Sequence, residues 1–167
     1  MKGLIFLVGM PGSGKSTIGR LMANQLQIPF VDLDAEIEAL ASKSVSSIFE
    51  EQGEKQFRKL EAHALTNVIA EYSSGVIATG GGTPIFHDGM KLMNAHGTTI
   101  YLEVSLDELI KRNQMANHRP LLADDMDESL KVLNKQRRPT YLQASQYINC
   151  ETDDAALISN KIIASIS

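Results

Sequence analysis

Four apolar runs stand out along the chain: Leu4 to Val8, Ile28 to Val31, Val76 to Ala78 and Ile100 to Val104. They are largely continuous rather than alternating, as expected of strands covered on both faces of a parallel sheet. Between them, apolar positions recur at helical spacing, as in Ile18, Leu21, Met22 and Leu26. The pattern predicts strands at 4–8, 28–32, 75–79, 98–104 and 146–150, and helices at 15–26, 34–42, 46–72, 84–95, 105–115, 127–143 and 153–165. Strand alternating with helix is the signature of an α/β fold, here with five parallel strands. With no repeat or proline-rich linker, residues 1–167 are expected to form one domain. Two segments read as insertions: the long helical piece 46–72, broken near Gly53, and the polar stretch 113–127, whose lack of periodicity predicts a mobile flap.

The join between the first strand and the first helix carries the strongest chemical signal. Gly9-Met10-Pro11-Gly12-Ser13-Gly14-Lys15-Ser16 fits the phosphate-loop pattern G-x-x-x-x-G-K-[S/T]. Successive backbone N–H groups and the positive end of the following helix both favour an anion. Gly12, Ser13, Gly14, Lys15, Ser16 and Thr17 are therefore the expected nucleotide-binding set. Lys15 supplies a point charge to the outer phosphates, Ser16 a hydroxyl ligand for Mg²⁺, and Thr17 a donor to an inner phosphate. Asp32, at the end of the second strand, is a candidate to hold the metal through water, or else to cap the next helix.

The bulk numbers narrow the class. A chain of 167 residues is long enough to bury roughly 68–70% of its unfolded surface without a staple. The single cysteine, Cys150, excludes an internal disulfide and fits a strand position in a reducing compartment. No apolar run approaches the ~18 residues of a membrane span, so a cytoplasmic protein is expected. Sixteen basic against twenty acidic residues give a net charge of −4, which argues against a broad nucleic-acid footprint and makes any positive site local. The four histidines show no metal-ligand spacing. No coiled-coil or long apolar edge pattern calls for a partner, and a monomer is expected.

Further clusters lie where strands exit. Asp34 either faces a substrate hydroxyl in the crevice of the sheet or caps the helix that follows. Gly80-Gly81-Gly82 after the third strand either admits a ligand or merely connects. Arg137 shares a helical stripe with Leu130, Leu133 and Tyr141 and is expected to face inward, towards an anion or a buried carboxylate, with Pro139 ending or kinking the helix after it. Arg58 shares a stripe with Glu61, Leu65 and Val68, and Glu61 is placed to hold it. Arg119, in the expected flap, can swing onto a transferring phosphate or remain a surface residue.

Taken together, Gly9 to Thr17, Asp32-x-Asp34, Phe57-Arg58, Gly80-Gly81-Gly82, Arg119-Pro120-Leu121-Leu122 and Arg137-x-Pro-x-Tyr141 resemble the shikimate kinase family in residue type, order and spacing. The resemblance implies a three-layer α/β/α P-loop kinase with a parallel sheet in order 2-3-1-4-5, a substrate-binding helical segment at about 34–61 and a lid at about 113–127. It implies transfer of the γ-phosphate of ATP, with Mg²⁺, to the 3-hydroxyl of shikimate on the route to chorismate. Position by position it implies Lys15, Asp34 and Arg119 as catalytic groups, with Asp34 on the shikimate hydroxyls and Arg58 and Arg137 on its carboxylate. Gly80, Gly81, Phe49, Phe57 and Glu61 then line the pocket, Arg119 contacts ATP and Arg112 packs on adenine. Asp153 falls in the adenine-side loop, which lacks the basic and proline residues of some members. The rival readings are a gluconate or nucleoside monophosphate kinase of the same fold, and a non-catalytic nucleotide switch. The switch reading suffers from Asn134-Lys135-Gln136-Arg137, where a guanine-reading motif requires aspartate at the fourth position.

Overall fold

The computed structural model of the protein describes residues 3–116, 123–150 and 154–166, and of 113–116 and 123–126 the backbone alone. Five parallel strands, β1 (Gly3–Val8), β2 (Phe30–Asp32), β3 (Ser74–Ala78), β4 (Gly97–Glu103) and β5 (Gln146–Asn149), form one sheet in the order β2-β3-β1-β4-β5. The helices are α1 (Lys15–Leu26), α2 (Leu33–Ala41), α3 (Val45–Glu71), α4 (Gly89–His96), α5 (Leu106–Ala116), α6 (Ala123–Tyr141) and α7 (Ala155–Ile166). The expected order 2-3-1-4-5 is thus the one found.

The central strand explains why the sheet holds together. Leu4 to Val8 are all buried, and Phe6, Leu7 and Val8 are fully enclosed between β3 and β4. Burying side chains of this size stabilises the fold by about 1.5–3 kcal/mol each. Helices cover both faces, so the continuous apolar runs of the sequence correspond to strands with no solvent side.

Several boundaries differ from the sequence expectation for local reasons. The run beginning at Ile28 pairs as a strand only from Phe30, because Pro29 has no N–H to give; its carbonyl still accepts from Val76 N at 2.9 Å. The helix expected from 84 starts at Gly89, since the chain turns first through Pro84 and the left-handed residues His87 (φ 52°) and Asp88 (φ 56°). The long helical insertion does break at Gly53, whose φ of 76° and ψ of 171° separate two helical pieces. Pro139 does not end α6, which continues to Tyr141. Most of the stretch expected as an aperiodic flap is helical instead, α5 running to Ala116 and α6 beginning at Ala123; Arg119 lies outside the described residues, as does Asp153.

Candidate active site

The loop from Gly9 to Ser16 folds over the carboxyl end of β1. Gly12 and Gly14 take positive φ (82° and 91°), and Gly14 occupies the N-cap of α1, so that the loop turns directly into the helix. The Lys15 ammonium lies back on this loop, donating to the carbonyls of Gly9 and Met10 at 2.9 Å each. Burial pushes its pKa down to about 8, opposed by the carboxylate of Asp34, with Arg137 adding to the downward shift. Ser16 Oγ donates to Asp32 Oδ2 at 2.8 Å.

Asp32 has a second task. Its Oδ1 accepts the N–H of Asp34 at 3.2 Å as the N-cap of α2. Of the two sequence alternatives for Asp32, the helix cap is the one the geometry shows. Because Asp32 caps the helix, Asp34 is not required to, and its carboxylate lines the cleft instead. Desolvation raises the Asp34 pKa above the ordinary value, the carboxylates of Asp32 and Glu61 raise it further, and Lys15 pulls it back.

A pocket of about 330 Å³ brings these groups together: Gly12, Gly14, Lys15, Ser16 and Thr17 from the loop and the start of α1, Asp32 from the end of β2, Asp34 from the first turn of α2, and Gly80 and Gly81 from the loop after β3. Ser13 is part of the loop but is fully buried beneath it, its Oγ 3.4 Å from Lys15 Nζ.

The glycine triplet is neither a mere connector nor only an opening for a ligand. A Cβ at Gly80 would sit 2.8 Å from Glu61 Oε1, at Gly81 3.0 Å from Arg137 Nη1, and at Gly82 2.3 Å from Arg58 Nη1. Each glycine leaves room for a different charged side chain, and none of the three has positive φ. Steric space, not backbone freedom, is what these positions supply.

Arg58 is nearly buried on α3. Its Nη1 donates to Glu61 Oε2 at 2.9 Å, while Nε and Nη2 donate to Glu54 Oε1 at 3.2 and 3.1 Å. Glu61, only 2% exposed, also accepts from the Thr83 hydroxyl at 2.7 Å. Phe57 packs against Phe49, ring centroids 4.4 Å apart with the planes tilted by 35°, in the first half of α3. Arg137 faces inward on α6 as expected, whereas Arg138 turns outward to Glu103 at 2.8 Å.

Tyr141, four residues after Arg137, is fully buried and donates its hydroxyl to Gly81 O at 2.6 Å. Burial drives its pKa up to about 12, against the pull of Arg137, so it remains a neutral donor. Its spacing from Arg137 was the only sequence signal for this tether. Thr83 and Phe86, which contact Glu61 and Arg58, carried no signal beyond following the glycines. Arg112 stands apart from this group: it donates to Glu108 at 2.9 Å, to Cys150 O at 3.2 Å and to Gly12 O at 3.5 Å, bridging the loop and the end of β5.

A phosphate loop after the central strand of a 2-3-1-4-5 parallel sheet, with carboxylates at the end of β2 and two guanidiniums beside the third strand, defines a P-loop phosphotransferase of the small-molecule kinase class. A family profile described as shikimate kinase matches residues 11–167. A shikimate kinase of Parabacteroides distasonis is 43% identical over 152 residues, covering 88% of this chain and 87% of its own. The crystal structure of the Bacteroides thetaiotaomicron shikimate kinase superposes with a TM-score of 0.90 at 35% identity, covering 99% of both chains. That of the Acinetobacter baumannii shikimate kinase in complex with shikimate gives 0.89 at 32% identity over 98% of this chain and 92% of the other. The chain belongs to the shikimate kinase family, and it is a kinase.

Proposed function

We propose that this protein transfers the γ-phosphate of ATP to the 3-hydroxyl of shikimate, giving shikimate 3-phosphate and ADP. The observation that carries the reading is the cleft itself: Asp34, freed from helix capping by Asp32, shares one pocket of about 330 Å³ with Lys15, Gly80 and Gly81, and Gly81 abuts the Arg137 guanidinium. A small hydroxylated acid needs charge-assisted partners for its carboxylate and an acceptor for its hydroxyl, and Arg58, Arg137 and Asp34 supply that set.

Phosphoryl transfer asks mainly for positioning and charge. The loop N–H groups from Gly12 to Thr17 and Lys15 hold the phosphates; Lys15 must leave the carbonyls of Gly9 and Met10 to do so. Asp34 accepts the proton of the attacking hydroxyl, a role its raised pKa favours. Arg58 and Arg137 fix the acid at its other end, and Gly80 and Gly81 close the wall. Tyr141 holds the Gly81 carbonyl and so keeps Arg137 and the glycine wall in register. Arg119 is read as the lid arginine that covers ATP, and Arg112, with Asp153, as the adenine-side contacts. We further read 34–61 as the substrate-binding segment and 113–127 as the lid of a single domain.

The donor set fits a magnesium ion, since a hydroxyl and a carboxylate oxygen already meet at Ser16 and Asp32, and hard oxygen ligands suit it. Among the described residues no cluster of three His, Cys, Asp or Glu forms a separate cage. The chemistry such an ion would supply there is neutralisation of phosphate charge. Ser16 and Asp32 are the residues that would hold it.

We read the protein as a monomer. We read it as cytoplasmic; among the described residues no helix is long and apolar enough to cross a membrane. A coupled ADP-release assay with shikimate, gluconate and AMP tests the function. ADP release stimulated by shikimate alone is expected; stimulation by gluconate or AMP instead would reassign the acceptor.

A further inference from the structure

The loop between the glycine triplet and α4 does more than connect two elements. Phe86, on this loop, lays its ring over Arg58, with Cζ 4.3 Å from the ring centroid. Phe57 brings a second ring to 5.0 Å. Phe86 is 37% exposed, so it adds little to the core, and its contact with the guanidinium stands out. Arg58 and Phe86 together border a cavity of about 70 Å³, which Glu61, Leu65, Thr83 and Leu92 also line.

The loop is built to hold this ring still. Gly82 O accepts from both Ile85 N (2.9 Å) and Phe86 N (3.2 Å), and Phe86 O accepts from Gly89 N at 3.0 Å. His87 and Asp88 are both left-handed, a costly arrangement for two residues with side chains. Gly89 approaches the Thr83 carbonyl so closely that a Cβ would lie 1.9 Å from it. The same loop also carries Thr83, whose hydroxyl holds Glu61, the partner of Arg58 Nη1.

Arginine has five N–H donors in one plane. Three are engaged by Glu54 and Glu61, which leaves one on each terminal nitrogen. A carboxylate can take both only if the plane of the guanidinium is fixed. Glu54 and Glu61 restrict rotation within the plane, and an aromatic face restricts tilting out of it.

We propose that Phe86 is a positioning residue: by covering one face of Arg58 it presents the two remaining N–H groups as a flat carboxylate receptor and so sets the preference for an acid over its neutral analogue. This rests on the reading that Arg58 grips the carboxylate of shikimate. Leucine keeps apolar bulk but has no ring quadrupole, whereas tyrosine keeps both.

The test compares parent, Phe86→Leu and Phe86→Tyr in steady-state kinetics with shikimate and with shikimate methyl ester at saturating ATP. Phe86→Leu is expected to raise KM for shikimate about threefold to tenfold, the range for loss of a partly desolvated cation–π contact. It should leave kcat and KM for ATP within about twofold, and narrow the acid-over-ester ratio of kcat/KM by a similar factor, as uniform binding loss requires. Phe86→Tyr should behave as the parent. An unchanged acid-over-ester ratio in Phe86→Leu, a parallel loss of kcat, or equal impairment in Phe86→Tyr overturns the assignment. A parent enzyme with no preference for the acid removes the carboxylate reading, and this inference with it.

Discussion

Asp32 serves two neighbours with its two oxygens: Oδ2 accepts the Ser16 hydroxyl at 2.8 Å and Oδ1 accepts the Asp34 N–H at 3.2 Å. One side chain thereby ties the phosphate loop to the start of α2. The same arrangement relieves Asp34 of a capping duty and leaves its carboxylate in the cleft. Asp32→Ala should then do two things at once. It should cost about 1 kcal/mol of stability through the lost cap, read by urea unfolding, and weaken Mg²⁺-dependent turnover, read by magnesium titration of the rate.

Asp34 pits stability against function. Its folded-state pKa is raised, so its charge is disfavoured by folding: stability is full below its unfolded pKa near ~3.9 and falls as pH rises through the folded value. Asp34→Asn should therefore unfold at a higher temperature than the parent at pH 7 while losing about 10²–10⁴ in kcat. The acid limb of kcat/KM in the parent should lie above the ordinary aspartate range and vanish in the variant. A melting temperature lower than the parent's at pH 7 would contradict the electrostatic account.

Lys15 predicts the alkaline side. With its pKa lowered to about 8, the ammonium in the free protein discharges as pH rises through that value, long after a phosphate's own ionisation near ~6 is complete. ATP affinity, measured by calorimetry, should be level from pH 7 towards 8 and fall above it. Bound phosphate favours the charged form, so binding at pH 8 to 9 should take up protons, seen as a buffer-dependent enthalpy. For folding the sign is opposite: between about 8 and 10.5 the unfolded chain binds the extra proton, so stability gains from rising pH at this residue.

Glu61 is almost fully enclosed and holds both Arg58 and Thr83. Glu61→Ala leaves Arg58 with Glu54 alone and the buried Thr83 hydroxyl without its acceptor, so it should destabilise by about 1–3 kcal/mol in denaturant unfolding. Arg137→Ala, by contrast, should leave unfolding nearly unchanged and weaken shikimate binding by about 2–5 kcal/mol. A shikimate KM within about twofold of the parent would remove Arg137 from the site.

Arg119, outside the described residues, carries the prediction of the family resemblance. An arginine on a transferring phosphoryl group is worth about 10³–10⁵ in rate, so Arg119→Ala should lower kcat by orders of magnitude at saturating substrates. Unchanged single-turnover rates would retire the role.

The sheet was legible in the sequence because parallel strands buried on both faces leave continuous apolar runs, and the phosphate loop because its chemistry is compressed into eight consecutive residues. Arg58 with Glu61, and Arg137 apart from Arg138, could be read from helical spacing, since residues three or four apart must share a face. Local order settled all of these. What lies between segments distant in sequence did not follow from any local rule. Only the folded chain decided that Asp32 rather than Asp34 caps α2, that consecutive glycines at 80, 81 and 82 leave space for Glu61, Arg137 and Arg58 in turn, and that Tyr141 and Phe86 secure the wall and the receptor. Apart from the local cap, those are contacts between residues about 20 to 60 positions apart, set by packing density and steric exclusion, for which one-dimensional spacing carries no trace.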